Sequence, residues 1–211
     1  QDYLKNKKLS TIYFGGGTPS ILNEYDLKLI LNSIKNNFQI VSNAEITLEA
    51  NPGTLTFDYL RELRASGVNR LSLGVQSFSD AELAQLGRIH TCEEAVESIH
   101  WARQAGFENL SLDLIFGLPE QSLRAWENNL REVIRIHPEH LSLYNLIVED
   151  GTPLAEQIAN KEIPAPDDDV AADMYELTMD FLASAGYEQY EISNWATSPE
   201  FESRHNKAYW Q

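Results

Sequence analysis

Short runs of branched and apolar residues at 9–14, 45–50, 70–75, 110–116 and 140–146 alternate with stretches of helical periodicity. Between the runs lie LNEYDLKLILNSIKNNF, FDYLRELRASG, CEEAVESIHWARQAG and LRAWENNLREVIRIHP, several of them stopped by Gly or Pro as helices are. DDDVAADMYELTMDFLASAG predicts a further helix and YEQYEISNWA a further strand. Strand and helix alternating every 25 to 40 residues or so is the pattern of right-handed βαβ units. The fold class is therefore α/β with a parallel sheet, closed towards a barrel or doubly wound.

A chain of 211 residues with 43% hydrophobic content buries enough surface for one domain. Its 16 basic and 32 acidic residues leave a formal charge of -16, so a phosphate backbone would meet repulsion, and no nucleic-acid partner is expected. No apolar run reaches the roughly 20 residues of a membrane span, and QDYLKNKKLS lacks the apolar core of a signal peptide. A cytoplasmic protein with no membrane span is expected. The sole cysteine, Cys92, excludes an internal disulfide and cannot alone form a zinc or iron–sulfur site. The chain starts on glutamine with a strand-like run within ten residues, so it reads as cut from something longer.

In parallel α/β folds ligands bind at the carboxyl ends of strands. The first run ends in GGGTPS, whose glycines expose backbone to a ligand's amino or carboxylate group; a tight strand-to-helix turn is the rival reading. The motif has neither the third glycine of a dinucleotide fingerprint nor the lysine of a P-loop. The second run ends in LEANPG with Glu49, which needs a ligand or a cationic partner on a rim. The third carries Gln76, a neutral donor and acceptor suited to ribose or carboxylate. Arg88 follows in QLGRIH and can clamp a carboxylate, or form a surface ion pair. Asp113 interrupts the apolar fourth run, LSLDLIFGLPEQS, and suits two ribose hydroxyls or an outward helix cap. Together these groups match a zwitterionic amino acid joined to a nucleoside, which is the chemistry of S-adenosylmethionine (SAM).

In order and spacing, YFGGGTPS, EITLEANPG, NRLSLGVQSF, LGRIHT, LDLIFGLPEQS and LSLYNLIVEDGTP resemble the radical SAM family of oxygen-independent coproporphyrinogen III dehydrogenases, over essentially the whole chain. The resemblance implies a partial (β/α) barrel of TIM type that holds SAM and a 4Fe-4S cluster, here with its first strand and cluster loop missing. By position, Gly16, Gly17 and Thr18 match the ridge that holds the methionine amino group, and Glu49, Gln76, Arg88 and Asp113 match SAM contacts. The family's C-x-x-x-C-x-x-C loop, upstream of GGGTP in its members, has no counterpart here, and Cys92 does not replace it. The polypeptide is therefore expected neither to bind the cluster nor to cleave SAM by itself.

Near the end, RHNKAYWQ places His205, Asn206, Tyr209 and Trp210 on the H-N-x-x-Y-W signature of the family's heme chaperone branch. An imidazole ligates heme iron, and Tyr and Trp offer flat apolar surface to a porphyrin; buried anchoring aromatics beside an exposed His205 are the competing reading. His90, His100, His137 and His140 lack such neighbours and are assigned to structure or surface. The resemblance thus implies a carrier that binds heme and gives it to hemoproteins such as respiratory cytochromes, close to the membrane face. The alternatives are a coproporphyrinogen III dehydrogenase and a degenerate chain that keeps only the fold. Residues 1–186 are assigned to the partial barrel and 187–211 to the start of the segment that follows.

Overall fold

The computed structural model describes residues 8–210. Five parallel strands, β1 (Lys8–Phe14), β2 (Gln39–Ala50), β3 (Arg70–Gln76), β4 (Leu110–Phe116) and β5 (His140–Asn145), pair in chain order. Two short strands, β6 (Glu188–Glu191) and β7 (Asn194–Ala196), complete the sheet, in the order β1-β2-β3-β4-β5-β7-β6. The sheet curls into a half-barrel, and its five parallel strands keep chain order with no switch point, which selects the barrel over the doubly wound alternative.

The connecting helices are α1 (Glu24–Asn37), α2 (Phe57–Ser66), α3 (Asp80–Gln85), α4 (Cys92–Gln104), α5 (Leu123–Ile136), α6 (Pro153–Ala159), α7 (Asp168–Ser184) and α8 (Arg204–Ala208). Side-chain caps fix where the longer ones start: Asn23, Thr56, Ser122 and Asp167 each accept a first-turn N–H, and Thr91 with Glu94 closes a full capping box on α4. Gly67 at φ 107° ends α2, a conformation that a side chain would oppose.

Alternation along the strands divides the residues cleanly. Leu71, Leu73 and Val75 of β3, Leu110, Leu112 and Leu114 of β4, and Leu141 and Leu143 of β5 are all 0–1% exposed and join one apolar core with Leu60, Leu63, Trp126 and Leu130 of the helices. Their neighbours on the concave side are polar: Thr47 and Glu49, Arg70, Ser72 and Gln76, Ser111 and Asp113, His140 and Ser142. This polar inner layer is where the site forms.

The structure departs from the sequence expectation in three respects. β2 begins at Gln39 rather than Glu45, because Gln39 and Ile40 pair with Lys8 and Leu9 before a register shift lets the ladder resume at Glu45. The expected single strand 187–196 is a hairpin, antiparallel to β5 and turning at Ile192 and Ser193. α3, α6 and α8, of 6, 7 and 5 residues, are too short to show a clear period in the sequence.

Candidate functional site

Gly17, Thr18, Glu49, Gln76, Arg88 and Asp113 line one cavity of about 220 Å3 at the carboxyl ends of β1 to β4, together with Asn51, Ser72 and Gly74. Gly16 adjoins it, donating its N–H to Glu49 Oε2 at 3.2 Å. Six of the eight residues named from the sequence thus line a single space, and a seventh is bonded to its wall.

The glycine ridge depends on the residues beneath it. A Cβ on Gly15 would lie 2.6 Å from the Tyr13 ring and 2.9 Å from Glu49 Oε1, closer than packing allows. Gly16 and Gly17 take φ values of 82° and 69°, and a Cβ on either would meet nothing within 4 Å. Their backbone is therefore open to a ligand. Glu49 is held by Tyr13, whose hydroxyl donates to Oε1 at 2.7 Å, so the carboxylate meets two neutral donors instead of a rim cation. Burial, then the bond to Glu49, holds the Tyr13 phenol protonated well above its ordinary range.

Asp113 faces the cavity rather than an outer helix. Ser72 donates to both of its oxygens at 3.0 and 3.1 Å, and Ser111 to Oδ1 at 3.2 Å. Burial nonetheless raises its pKa to about 6. Gln76 closes β3 in the left-handed region at φ 67°, a conformation that is costly for a side-chain residue and that turns its amide towards Gly74. A Cβ on Gly74 would lie 2.9 Å from the Gln76 amide nitrogen and 3.2 Å from Asn51 Oδ1, so glycine leaves room for both amides. Arg88 forms no ion pair among the described residues, and burial lowers its proton affinity.

A buried network fixes the loops that carry these groups. Glu82 accepts from Ser77 at 2.5 Å, Asn129 at 2.9 Å and Gln121 at 3.0 Å, while the Gln121 amide oxygen accepts the Gly117 N–H at 2.8 Å. The loops after β3 and β4 are thereby tied to α5.

A second cavity, of about 680 Å3, shares Glu49, Ser72, Gln76, Arg88 and Asp113 with the first and extends to Arg70, Ser142, Tyr144, Ser193 and Asn206. A third, of about 290 Å3, shares Tyr144, Ser193 and Asn206 with the second and reaches Tyr209 and Trp210. Shared wall residues thus make a track of neighbouring cavities from the glycine ridge to the aromatic pair.

His205 stands one ring away from the ridge. Its imidazole stacks on Tyr13, centroids 4.2 Å apart and planes 17° from parallel, and Tyr209 meets it edge-on at 5.2 Å. Buried Glu45 accepts the N–H groups of Arg204 at 3.1 Å and His205 at 3.2 Å, which seats α8 on the sheet. Burial lowers the pKa of His205, against the opposing pull of Glu45. Tyr209 and Trp210 are 78% and 67% exposed. Sequence reading missed Tyr13, Glu45, Asn51, Ser72 and Arg70, which look like ordinary strand and turn residues; only the inward alternation on β1 to β3 marks most of them.

The residues present fit SAM: open glycine backbone, a carboxylate, a guanidinium without an ion pair among the described residues, an amide and a second carboxylate line one cavity. They do not fit a 4Fe-4S cluster. Cys92 is the sole cysteine, its thiol pushed up by burial, and no three metal-binding side chains converge among the described residues.

Comparison with known proteins agrees with this geometry. The family model of the radical SAM superfamily matches residues 1–133. The heme chaperone HemW of Lactococcus lactis is 42% identical over 204 residues, covering 97% of this chain and 54% of the relative. That of Escherichia coli is 40% identical over 209 residues, covering 99% and 54%. The solved coproporphyrinogen III oxidase (HemN) of Escherichia coli, a radical SAM enzyme, superposes with a TM-score of 0.82 at 29% identity, covering 95% of this chain and 46% of that one. The chain spans about half the length of the curated relatives it matches.

Proposed function

Because this chain belongs to the radical SAM superfamily, we propose that it forms the SAM-holding part of a heme chaperone, a carrier that binds heme and passes it to hemoproteins such as respiratory cytochromes. The observation that carries this reading is the seat of α8. Glu45 and Tyr13 hold His205 beside the glycine ridge, while Tyr209 and Trp210 stay open to a flat apolar ligand. Relatives named heme chaperones are 38–42% identical to it over the aligned 204 to 211 residues.

The chain's own residues divide the work by chemistry. The ridge at Gly16, Gly17 and Thr18 gives backbone contacts to the amino-acid end of SAM, and Glu49, anchored by Tyr13, attracts its ammonium group. Arg88 offers a two-pronged donor to the carboxylate, and Gln76 and Asp113 pair with ribose hydroxyls. SAM with a reduced cluster supplies radical chemistry in this superfamily; the thiolates for that cluster are not among these residues. His205 serves as heme-iron ligand. Its lowered pKa keeps the imidazole neutral at neutral pH, and the Tyr209 hydroxyl, 3.4 Å from Nε2, must swing away as iron binds. Transfer to a recipient takes place at a membrane face, approached from the cytoplasm; among the described residues no helix is long and apolar enough to cross the membrane.

The likeness to coproporphyrinogen III oxidase supports an enzymatic alternative, oxidative decarboxylation of that porphyrinogen. A heme titration of the full-length, cluster-reconstituted protein separates the two. Stoichiometric Soret absorbance that weakens about tenfold or more in His205→Ala is the expected result. Equal binding by both proteins, together with decarboxylation of coproporphyrinogen III, moves the assignment to the enzyme.

A further inference from the structure

Arg70 opens β3 with its side chain on the concave face, and only 2% of the residue is exposed. Its Nε finds no hydrogen-bond partner, and the guanidinium pairs with no described carboxylate. A guanidinium cannot shed its proton to escape burial, so a partnerless one asks for an anion.

The carboxylates around it are already engaged. Glu45 caps α8, Glu49 holds Tyr13 and Gly16, and Asp113 accepts from Ser72 and Ser111. Thr47, opposite Arg70 in the β2–β3 register and 0% exposed, also has a hydroxyl without a partner. Two orphaned polar groups therefore sit side by side beneath the larger cavity, which Arg70 lines with Ser72, Ser142 and Asn206.

We propose that this floor is a carboxylate-binding subsite, and that it takes a carboxylate arm of the macrocycle whose face lies against Tyr209 and Trp210. The second clause rests on the heme reading. A singly charged, planar carboxylate matches the guanidinium fork, whereas a doubly charged phosphate would meet more repulsion from Glu45, Glu49 and Asp113. The carboxylate of SAM has Arg88 in the smaller cavity, which Arg70 does not line. The arm reaches Arg70 along the track through Tyr144, Ser193 and Asn206.

The test uses the full-length holoprotein with two probes, iron protoporphyrin IX and its dimethyl ester, which keeps the ring and iron but blocks both carboxylates. Wild type is expected to bind the free acid about tenfold or more tighter than the ester. Arg70→Met abolishes that preference by weakening the acid alone, and Arg70→Lys retains part of it. No preference in wild type, a full preference in Arg70→Met, or a loss of SAM affinity in its place overturns the macrocycle assignment.

A second measurement reads the subsite without heme. Glutarate, against chloride at equal ionic strength, is expected to raise the melting temperature of wild type and not of Arg70→Met. Equal shifts in both overturn the subsite itself. If neither porphyrin binds wild type saturably while the glutarate difference persists, the heme reading fails and the carboxylate subsite stands.

Discussion

Asp113 keeps its proton up to about pH 6 because burial outweighs the donors that favour its charged form. A carboxyl whose folded pKa lies above its unfolded one works against folding once both states are ionised. Its share of that cost is at most roughly 3 kcal/mol near neutral pH, and it is relieved as pH falls through the folded value. Asp113→Asn removes the cost and keeps a group of the same shape. The variant should melt several degrees higher at pH 7 while binding SAM at least about tenfold more weakly, as read by calorimetric melting and SAM titration. The sequence made Asp113 conspicuous, because a carboxylate within LSLDLIF has few structural uses. It gave no sign of Ser72 and Ser111, the hydroxyls that hold it, since serines in strands carry no signal of direction.

At the scale of elements, α8 is a short helix fastened by one carboxylate. Five residues of helix have little stability of their own, and the Glu45 carboxylate supplies the acceptors that two first-turn N–H groups lack. Glu45→Gln removes the charge and one acceptor. Amides of residues 204–208 should then exchange at least about tenfold faster, and heme affinity should fall with them while SAM affinity holds. An unchanged exchange pattern would show that stacking on Tyr13 is sufficient. The strand ends that bear Glu49, Gln76 and Asp113 were legible because apolar runs point to them. Glu45 was not, for its partners lie 159 and 160 residues away. The hairpin of β6 and β7 was read as one strand because its turn, at Ile192 and Ser193, lacks the Gly or Asn that usually marks a reversal.

Across the whole molecule, the polar inner layer holds two buried titratable groups, Asp113 and His140, whose pKa values burial shifts in opposite directions. His140 is buried in the inner layer, bonded to Ser111 through Nδ1 at 2.8 Å and to Tyr190 through Nε2 at 2.7 Å, and burial depresses its pKa well below that of a free histidine. Only the unfolded chain takes up its proton readily, so this group's stability is full above about pH 6.5 and drains away as pH falls below it. Asp113 acts in the opposite sense between about 6 and 3.8. The two oppose each other, so wild-type stability should depend less on pH between about 6 and 4 than His140 alone would make it. In Asp113→Asn the opposing contribution is gone, and stability should fall more steeply than in wild type as pH drops across that window in denaturant titrations. The α/β class and the strand-end site were legible because periodicity and strand order are local properties of the chain. The inner layer's pairings were not, because they depend on which strands become neighbours across the curl.

The bond from Glu45 to α8 also dates the assembly of the molecule. β2 to β5 each pair with the preceding strand, so the sheet can be laid down in the order in which the chain leaves the ribosome. The ends that line the smaller cavity are complete once β4 and the turn after it have emerged. α8 must then cross back over the finished sheet to find a carboxylate made some 160 residues earlier, a loop closure that comes late. During synthesis, therefore, a nascent chain exposes its strand-end cavity before it can present His205, and the histidine arrives only on a half-barrel already laid down.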